Sequence, residues 1–301
     1  MKIVDQPLVS IITVNYHQDQ VTCELLNSIK KLKYKNIEVI VVDNEVATNN
    51  SNTFKSVFAE VLYLYSKINL GFAGGNNLGM EHANGNYIFL VNNDTELNEN
   101  CIQRLVYHHE SEQRTAAISP IIRYYEEPSR IQFAGFTAIN KLTGRNKMIR
   151  QTSLDKLIST PYFHGAAVMI KSEAIEEAGT MAEDYFLYYE ELDWSVRFTK
   201  HGWCLKVAND AEILHKESIS TGQGSPLKLY YQTRNRLLYM HRHANGMQRS
   251  IFKFYYFMIG YPWLLIKLLY KRKFMHLSNV IKAVEDYCFG RLSNQNTFIH
   301  Q

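Results

Sequence analysis

Four cysteines, Cys23, Cys101, Cys204 and Cys288, are spread over 301 residues, and no two form a C-x-x-C. That spacing excludes a zinc ribbon or a dithiol redox motif and argues against a disulfide frame; buried thiols in a reducing compartment fit it better. The 11 histidines contain no H-E-x-x-H, which removes the zinc-hydrolase pattern. G-x-G-x-x-G is also missing. The opening MKIVDQPLVS has Asp5 and Pro7 where a secretory leader has its apolar core, so no leader is expected. There is no internal repeat and no low-complexity linker. What remains, 46% hydrophobic and 21% charged, is enough to build a full core in one large α/β domain or in a domain with an appendage.

Charge is unevenly placed. Residues 226–301 hold 12 Lys/Arg against 2 Asp/Glu, a surplus of +10, while the rest of the chain carries 21 basic and 27 acidic residues. An acidic body, residues 1–225, therefore precedes a basic tail, residues 226–301. In the body, apolar runs alternate with helical patterns: LVSIITV (8–14), IEVIVVD (37–43), VLYLY (61–65) and YIFLVN (87–92). Between the first two, Leu25, Leu26, Ile29 and Leu32 recur at helical spacing after Asp19, a helix-cap candidate. Strands apolar on both faces with helices between them indicate a parallel sheet covered on both sides. Ligands of such sheets bind beyond the carboxyl ends of the strands, which directs attention to Asn15, Asp43 and Asn92-Asn93-Asp94. From about Ile121 to Phe163 loops and short strands are expected, and from Leu227 onward nearly all helix.

Several short segments carry candidate chemistry. NLGFAGGNNLG (69–79) is glycine-rich and leads into a helix, but it follows the third strand, so a tight loop approaching some nucleotide other than a dinucleotide is the better reading. Asp94, in NNDTE, is either the cap of a helix opened by DTELNEN or a ligand to a divalent cation that bridges phosphates. EELDWSVR places three acids at a helix start; Asp193 and Arg197 form an i,i+4 pair. Glu191 lies roughly 200° around the axis from Asp193, so it needs another role, and a general base is one. His215 follows an apolar strand and is a ligand only if it converges with Asp94.

Taken in order, these pieces resemble the family-2 inverting glycosyltransferases of the GT-A fold, in particular a rhamnosyltransferase-like branch. VSIITVNY matches the opening strand, Asp43 in VIVVDN the nucleotide-contacting acid, and Asn69–Gly79 the N-x-G-x-x-x-x-N-x-G segment. Asn92-Asn93-Asp94 stands for the D-x-D motif, and Glu190-Glu191-Leu192-Asp193 through Arg197 for the E-D-x-D-x-x-x-R block. YYQTRN and EDYCFGRL resemble the C-terminal helices. The likeness runs from about residue 8 to 292 and implies a GT-A sheet flanked by helices, with a helical, aromatic and basic C-terminal extension. It implies donor-nucleotide contacts from Thr13, Asn15, Asp43 and Asn69, and from Gly74, Asn77 and Asn92. It implies Mn²⁺ or Mg²⁺ at Asp94 with His215, and Glu191 as the base with Glu190 its adjacent rival. Two departures stand out: Asn92 replaces the first acid of D-x-D, and Glu191 replaces an Asp.

The implied reaction moves a sugar, rhamnose favoured, from a nucleotide diphosphate sugar (dTDP-rhamnose, or a UDP-sugar) to a hydroxyl of a glycan or lipid-linked glycan. Two other classes compete. A nucleotidyltransferase shares the metal acid, but NYHQDQ offers no phosphate-binding Gly/Lys/Arg loop. A catalytically silent, membrane-docked subunit of a polysaccharide assembly complex has no need of both Asp94 and Glu191. Nucleic acid is not expected as a partner, since the basic tail has no recognition motif. Within that tail FYYFMIGYPWLLI, 13 residues without a charge, is too short to span a membrane and is interrupted by Pro262. Its tyrosines and Trp263, followed by Lys271-Arg272-Lys273, suit a membrane surface at the cytoplasmic face; packing in a homodimer is the alternative.

Overall fold

The computed structural model describes residues 6–47, 49–216 and 224–292. The first half is a run of β/α units: β1 (Val9–Asn15), α1 (Asp19–Lys30), β2 (Ile37–Asn44), α2 (Ser51–Val57), β3 (Leu62–Ser66), α3 (Gly71–Glu81) and β4 (Tyr87–Val91). Alternation along each strand divides the core. Val9 and Ile11, Val39 and Val41, and Phe89 and Val91 face one layer with Leu25 and Leu26 of α1. Ile12, Ile40, Val42, Ile88 and Leu90 face the other, with Ala73 of α3. β1 pairs in parallel with both β2 and β4. The chain thus winds outward from β1 to β3 and then returns to the other side of β1, which opens a crevice at the carboxyl ends of β1 and β4.

The sheet is mixed rather than parallel throughout. After β4 come β5 (Thr95–Leu97), α4 (Cys101–Ser111), β6 (Thr115–Tyr124), β7 (Ile131–Phe133), β8 (Leu157–Ser159) and β9 (Ala167–Lys171). Then follow α5 (Ser172–Ala178), α6 (Glu190–Lys200) and β10 (Cys204–His215). The order is β3-β2-β1-β4-β9-β6-β10-β5, with β7 on β6 and β8 on β10. β9 runs antiparallel to both β4 and β6, and β5 antiparallel to β10. An apolar run reports burial on both faces and is silent about direction, so the reversal at β9 has no local signature. β6, fully buried over its first eight residues, is a long strand where the sequence pattern suggests loops beyond Ile121.

Two other expectations change. The glycine-rich segment is not a loop before a helix: α3 itself runs through GFAGGNNLGME. A Cβ on Gly79 would stand 2.4 Å from Ile12 and one on Gly75 3.0 Å from Val14, so these glycines let α3 lie directly on β1. Asp19 is the first residue of α1, not its cap; the cap position is Gln18, with no side-chain cap bond.

The tail forms α7 (Pro226–His243), α8 (Gly246–Tyr255), α9 (Tyr261–Tyr270) and α10 (Phe274–Cys288); residues 293–301 lie outside the described residues. Pro262 does not break the helical path. A π-helical turn, Tyr256–Gly260, precedes it, and the proline falls in the first turn of α9, where its missing N–H is tolerated. No helix among the described residues is long and apolar enough to cross a membrane.

Candidate active site

At the end of β4 the chain turns through Asn92-Asn93-Asp94 into β5, and α4 begins only at Cys101 with Asn100 in the cap position, so Asp94 caps no helix. The Ala166 carbonyl accepts from the Asn92 backbone N–H at 2.9 Å, and the Thr95 hydroxyl donates to the Asn92 carbonyl at 2.8 Å. Antiparallel pairing sets Thr95 opposite His215, and the Lys216 N–H donates to the Asp94 carbonyl at 2.9 Å. This register brings His215 Nε2 to 3.1 Å from Asp94 Oδ1, both side chains being over nine-tenths buried. On the far side of the ring, His215 Nδ1 lies 2.8 Å from Gln132 Oε1, which fixes the ring with Nε2 turned toward Asp94. Neither Nε2 nor Asp94 Oδ1 has a hydrogen-bond partner. A carboxylate oxygen and an imidazole nitrogen this close are joined by a proton or by a cation that both ligate. Among the described residues no group of three His, Cys, Asp or Glu side chains could hold a metal, so the protein offers two ligands here. That suits a hard cation whose other positions are taken by phosphate and water.

A chain of hydrogen bonds leads from this turn to Asp43. Asn93 Nδ2 donates to Thr22 Oγ1 at 3.1 Å, Thr22 Oγ1 to Asn15 Oδ1 at 2.7 Å, and Asn15 Nδ2 to Asp43 Oδ1 at 2.8 Å. Asn15 Nδ2 also reaches Asp19 at 2.8 Å. The Tyr63 hydroxyl donates to Asp43 Oδ2 at 2.8 Å. Burial raises the Asp43 pKa from the ordinary carboxylate value, and the Asn15 and Tyr63 donors oppose that rise. Beside it on β1, Thr13 has a buried hydroxyl without a partner. Asn69 Oδ1 accepts from Asn44 Nδ2 at 3.1 Å and from the Gly71 N–H at 2.9 Å. The structure therefore gathers Asn15, Asp43, Asn92 and Asp94 along one edge of the sheet. Gly74 and Asn77 lie one helix away. A Cβ at Gly74 would touch Leu70 at 3.0 Å, and Asn77 bonds Glu183 and both backbone polar groups of Met181.

Asn77 thereby anchors the segment that leads to the acidic helix. Phe186, Tyr188 and Tyr189 in that segment all have positive φ, at 62°, 68° and 76°. Such conformations cost about 1–3 kcal/mol each in non-glycine residues and persist only where surroundings impose them. Here α7 does so. Asn235 Nδ2 lies 2.7–2.8 Å from the carbonyls of Tyr185, Leu187 and Tyr188, and Arg234 Nη2 donates to those of Asp184 and Tyr185 at 2.7 and 2.9 Å. The strained turn delivers Glu190 and Glu191 as the first residues of α6. Both have a buried carboxylate oxygen, Oε2, without a partner. Burial pushes the Glu191 pKa up to about 7, with helix-start N–H groups pulling the other way; burial and then the Glu191 charge raise that of Glu190 well above its usual value. Asp193 behaves oppositely. Burial would raise its pKa, but His243 at 2.7 Å and Arg197 at 2.9 Å hold it below the ordinary value.

Glu191 opens into a cavity of about 360 Å³, also lined by Phe136, Tyr188, Tyr189, Arg145 and Arg236. Phe136 links it to the metal-type pair: its ring stacks on His164 at 5.9 Å, and the His164 pKa is lowered to about 3, first by burial and then by the neighbouring His215. Gln132, Thr22, Tyr63, Asn235 and His243 are supporting residues that the sequence did not flag. Asn235 belongs to a segment singled out by resemblance, YYQTRN; the other four carry no local signal.

The mixed sheet with its crevice at the carboxyl ends of β1 and β4 has the GT-A fold of glycosyltransferases. Sequence comparison agrees: residues 10–179 match the Glycosyl transferase family 2 domain, and the chain belongs to that family. It is 24% identical over 291 residues (90% of this chain, 88% of the relative) to the low-salt glycan biosynthesis hexosyltransferase Agl10 of Haloferax volcanii. It is 20% identical over 264 residues (80% and 86%) to an N-acetylglucosaminyl-diphospho-decaprenol L-rhamnosyltransferase of Mycobacterium tuberculosis. Among solved structures it resembles the mannosyltransferase PcManGT of Pyrobaculum calidifontis, in complex with GDP-Man and Mn²⁺, with a TM-score of 0.58 at 14% identity over 96% of this chain and 89% of that one.

Proposed function

We propose that the protein is an inverting glycosyltransferase that moves a sugar, rhamnose favoured, from a nucleotide diphosphate sugar to a hydroxyl of a glycan or lipid-linked acceptor. The observation that carries this reading is Glu191: a carboxylate with one buried oxygen, Oε2, left unpartnered and a pKa of about 7 that fits a base working at neutral pH, on the wall of a cavity large enough for a sugar. Asp43, with Thr13, Asn15 and Asn69, lines the nucleotide side, and Asn92 donates to the donor where the family motif has an acid. Gly74 leaves room beside Leu70 and Glu183, and Asn77 fixes the approach to the base. Asp94 and His215 are the ligands for Mn²⁺ or Mg²⁺, which supplies charge neutralisation at the diphosphate. Glu191 takes the proton of the acceptor hydroxyl, the oxygen forms its bond to the anomeric carbon from the face opposite the leaving group, and the bond from that carbon to the diphosphate oxygen breaks. Glu190, adjacent and more strongly protonated, helps to orient the helix start. Rhamnose is favoured by the names of distant relatives, one of which is a dTDP-rhamnosyl transferase, RfbF, of Shigella flexneri.

The body, residues 1–225, is the catalytic part in this reading and residues 226–301 its helical extension. Phe254, Met258, Trp263, Ile266, Tyr270 and Phe274 are exposed along α8, α9 and the start of α10, next to Lys271-Arg272-Lys273. Apolar side chains flanked by lysine and arginine suit the anionic inner face of a cell membrane. A panel of dTDP-, UDP- and GDP-sugars, scored for released nucleoside diphosphate with and without Mn²⁺, tests the assignment. Release that requires a divalent cation supports it, and no release from any donor refutes it.

A further inference from the structure

The cavity beside Glu191 is lined by two guanidiniums and an amide that the proposed chemistry leaves unused. Arg236, on α7, is only 7% exposed, and its Nε has no hydrogen-bond partner. The face of the Tyr256 ring lies 4.8 Å from its guanidinium, and the charge bears on the Tyr256 and Tyr189 hydroxyls. Asn146 Nδ2, also buried, is likewise without a partner. Arg145 stands exposed at the rim, where the surrounding walls and then the Arg236 charge lower its basicity. Among the described residues neither arginine is paired with a carboxylate. Glu191 shares the cavity, yet its own Oε2 is unpartnered, so it does not neutralise them.

A buried guanidinium without an anion is costly, because transfer out of water is offset only when the charge is paired. Ordinary packing does not explain Arg236 buried on this wall, with a second guanidinium, Arg145, at the rim and a free amide donor, Asn146, next to it. The loop that carries Arg145 is also tied to the catalytic helix: the Tyr189 hydroxyl donates to the Gly144 carbonyl at 3.1 Å, and Gly144, at φ +64°, packs on the Arg236 stem. The residue preceding the acidic pair and the residue preceding Arg145 are thus joined by one hydrogen bond.

Resting on the transferase reading above, we propose that the acceptor is an anion: the cavity holds a phosphate group of the acceptor between Arg236, Arg145 and Asn146 Nδ2 while Glu191 faces the hydroxyl that is to be glycosylated. Guanidinium forks match phosphate oxygens and give charge-assisted bonds about twice as strong as neutral ones. This site selects phosphorylated acceptors, whether free sugar phosphates or phosphate-linked lipid glycans, over neutral glycans of the same shape.

A binding assay without donor tests it. Glucose 1-phosphate and methyl glucoside are titrated against the full chain by saturation-transfer NMR, with and without short-chain lipid phosphate as competitor. Glucose 1-phosphate is expected to bind about 10-fold tighter or better, and Arg236→Gln and Arg145→Gln each to abolish that preference at unchanged melting temperature. If Arg236→Gln does not fold, Arg145→Gln at the exposed rim decides. Competition by the lipid phosphate assigns the anion to a membrane-borne acceptor, and failure to compete assigns it to a free sugar phosphate. Equal binding of the two sugars overturns the proposal, and so does a preference that survives both arginine variants and disappears in Asp94→Ala, which would place the anion at the donor. The transferase reading fails separately, in the donor panel, where no acceptor is present.

Discussion

His215 Nε2 faces Asp94 Oδ1 at 3.1 Å, and each is without a hydrogen-bond partner. The geometry arises because β5 and β10 run antiparallel with Thr95 opposite His215, while Gln132 holds the other ring nitrogen at 2.8 Å. A buried carboxylate and imidazole so placed form a donor set that a divalent cation accepts.

Gln132 acts through that ring. Gln132→Leu frees the ring to rotate or to change tautomer, and such supporting substitutions lower metal affinity about 10- to 100-fold. Mn²⁺ titration in the presence of nucleoside diphosphate is expected to show that loss for Gln132→Leu, a similar one for His215→Ala, and near-complete loss of binding for Asp94→Ala. Unaltered Mn²⁺ affinity in Asp94→Ala would remove the cation from this site.

The raised Glu191 pKa has a consequence for stability. The unfolded side chain ionises near its ordinary 4.5 and the folded one near 7. Between these values the native state keeps a proton that the unfolded chain has released. The contribution is therefore full below about 4.5 and is lost as pH rises through 7. Glu191→Gln, which cannot ionise, is expected to unfold at a higher temperature than wild type at pH 8, by about 3 kcal/mol at most, with the gap closing by pH 5. A constant difference across that range would mean that Glu191 is not held protonated by burial.

Asp193 joins two helices. It accepts from Arg197 within α6 and from His243 at the end of α7, with its side chain and that of His243 both buried. Asp193→Asn removes the charge from a buried pair, which costs about 3 kcal/mol. Urea unfolding should show a lower midpoint with little change in slope, and an unshifted midpoint would contradict the pairing.

Asn235 is expected to separate turnover from binding. Its amide holds the carbonyls of Tyr185, Leu187 and Tyr188, in a turn where Phe186, Tyr188 and Tyr189 adopt positive φ. Asn235→Leu removes the side-chain donor from the Leu187 and Tyr188 carbonyls and one of the donors to Tyr185, and lets the turn relax, so kcat should fall about 10-fold or more with donor KM nearly unchanged. Equal effects on kcat and KM would indicate a general loss of structure.

How legible was this in the sequence? The apolar runs of β1 through β4 and the helical period of α1 were plain, because each buries both faces or one stripe within a few residues. Motif order proposes Asp43, Asp94, Glu191 and His215 as one site, and the structure sets Asp94 beside His215. What stayed hidden depends on contacts far along the chain. The antiparallel β9 and the buried β6 show no directional signal. The glycines of α3 look like a phosphate loop until Ile12 and Val14 are seen beneath them. Gln132 and His243 act on partners 83 and 50 residues away, beyond the reach of any local pattern.

The tail offers a further check. Flotation with anionic vesicles should carry the full chain upward at low salt and release it at high salt, with neutral vesicles binding it much less. A protein that ignores both vesicle types and runs as a stable dimer would make α8–α9 a subunit interface.

The most direct test of the account compares Glu191→Gln with Glu190→Gln, using whichever nucleotide sugar the panel identifies. Donor affinity and kcat are measured for each. Glu191→Gln should keep donor affinity and lose about 10²-fold or more in kcat, while Glu190→Gln loses less. The reverse ranking, or full turnover in Glu191→Gln, would contradict the assignment of Glu191 as the base.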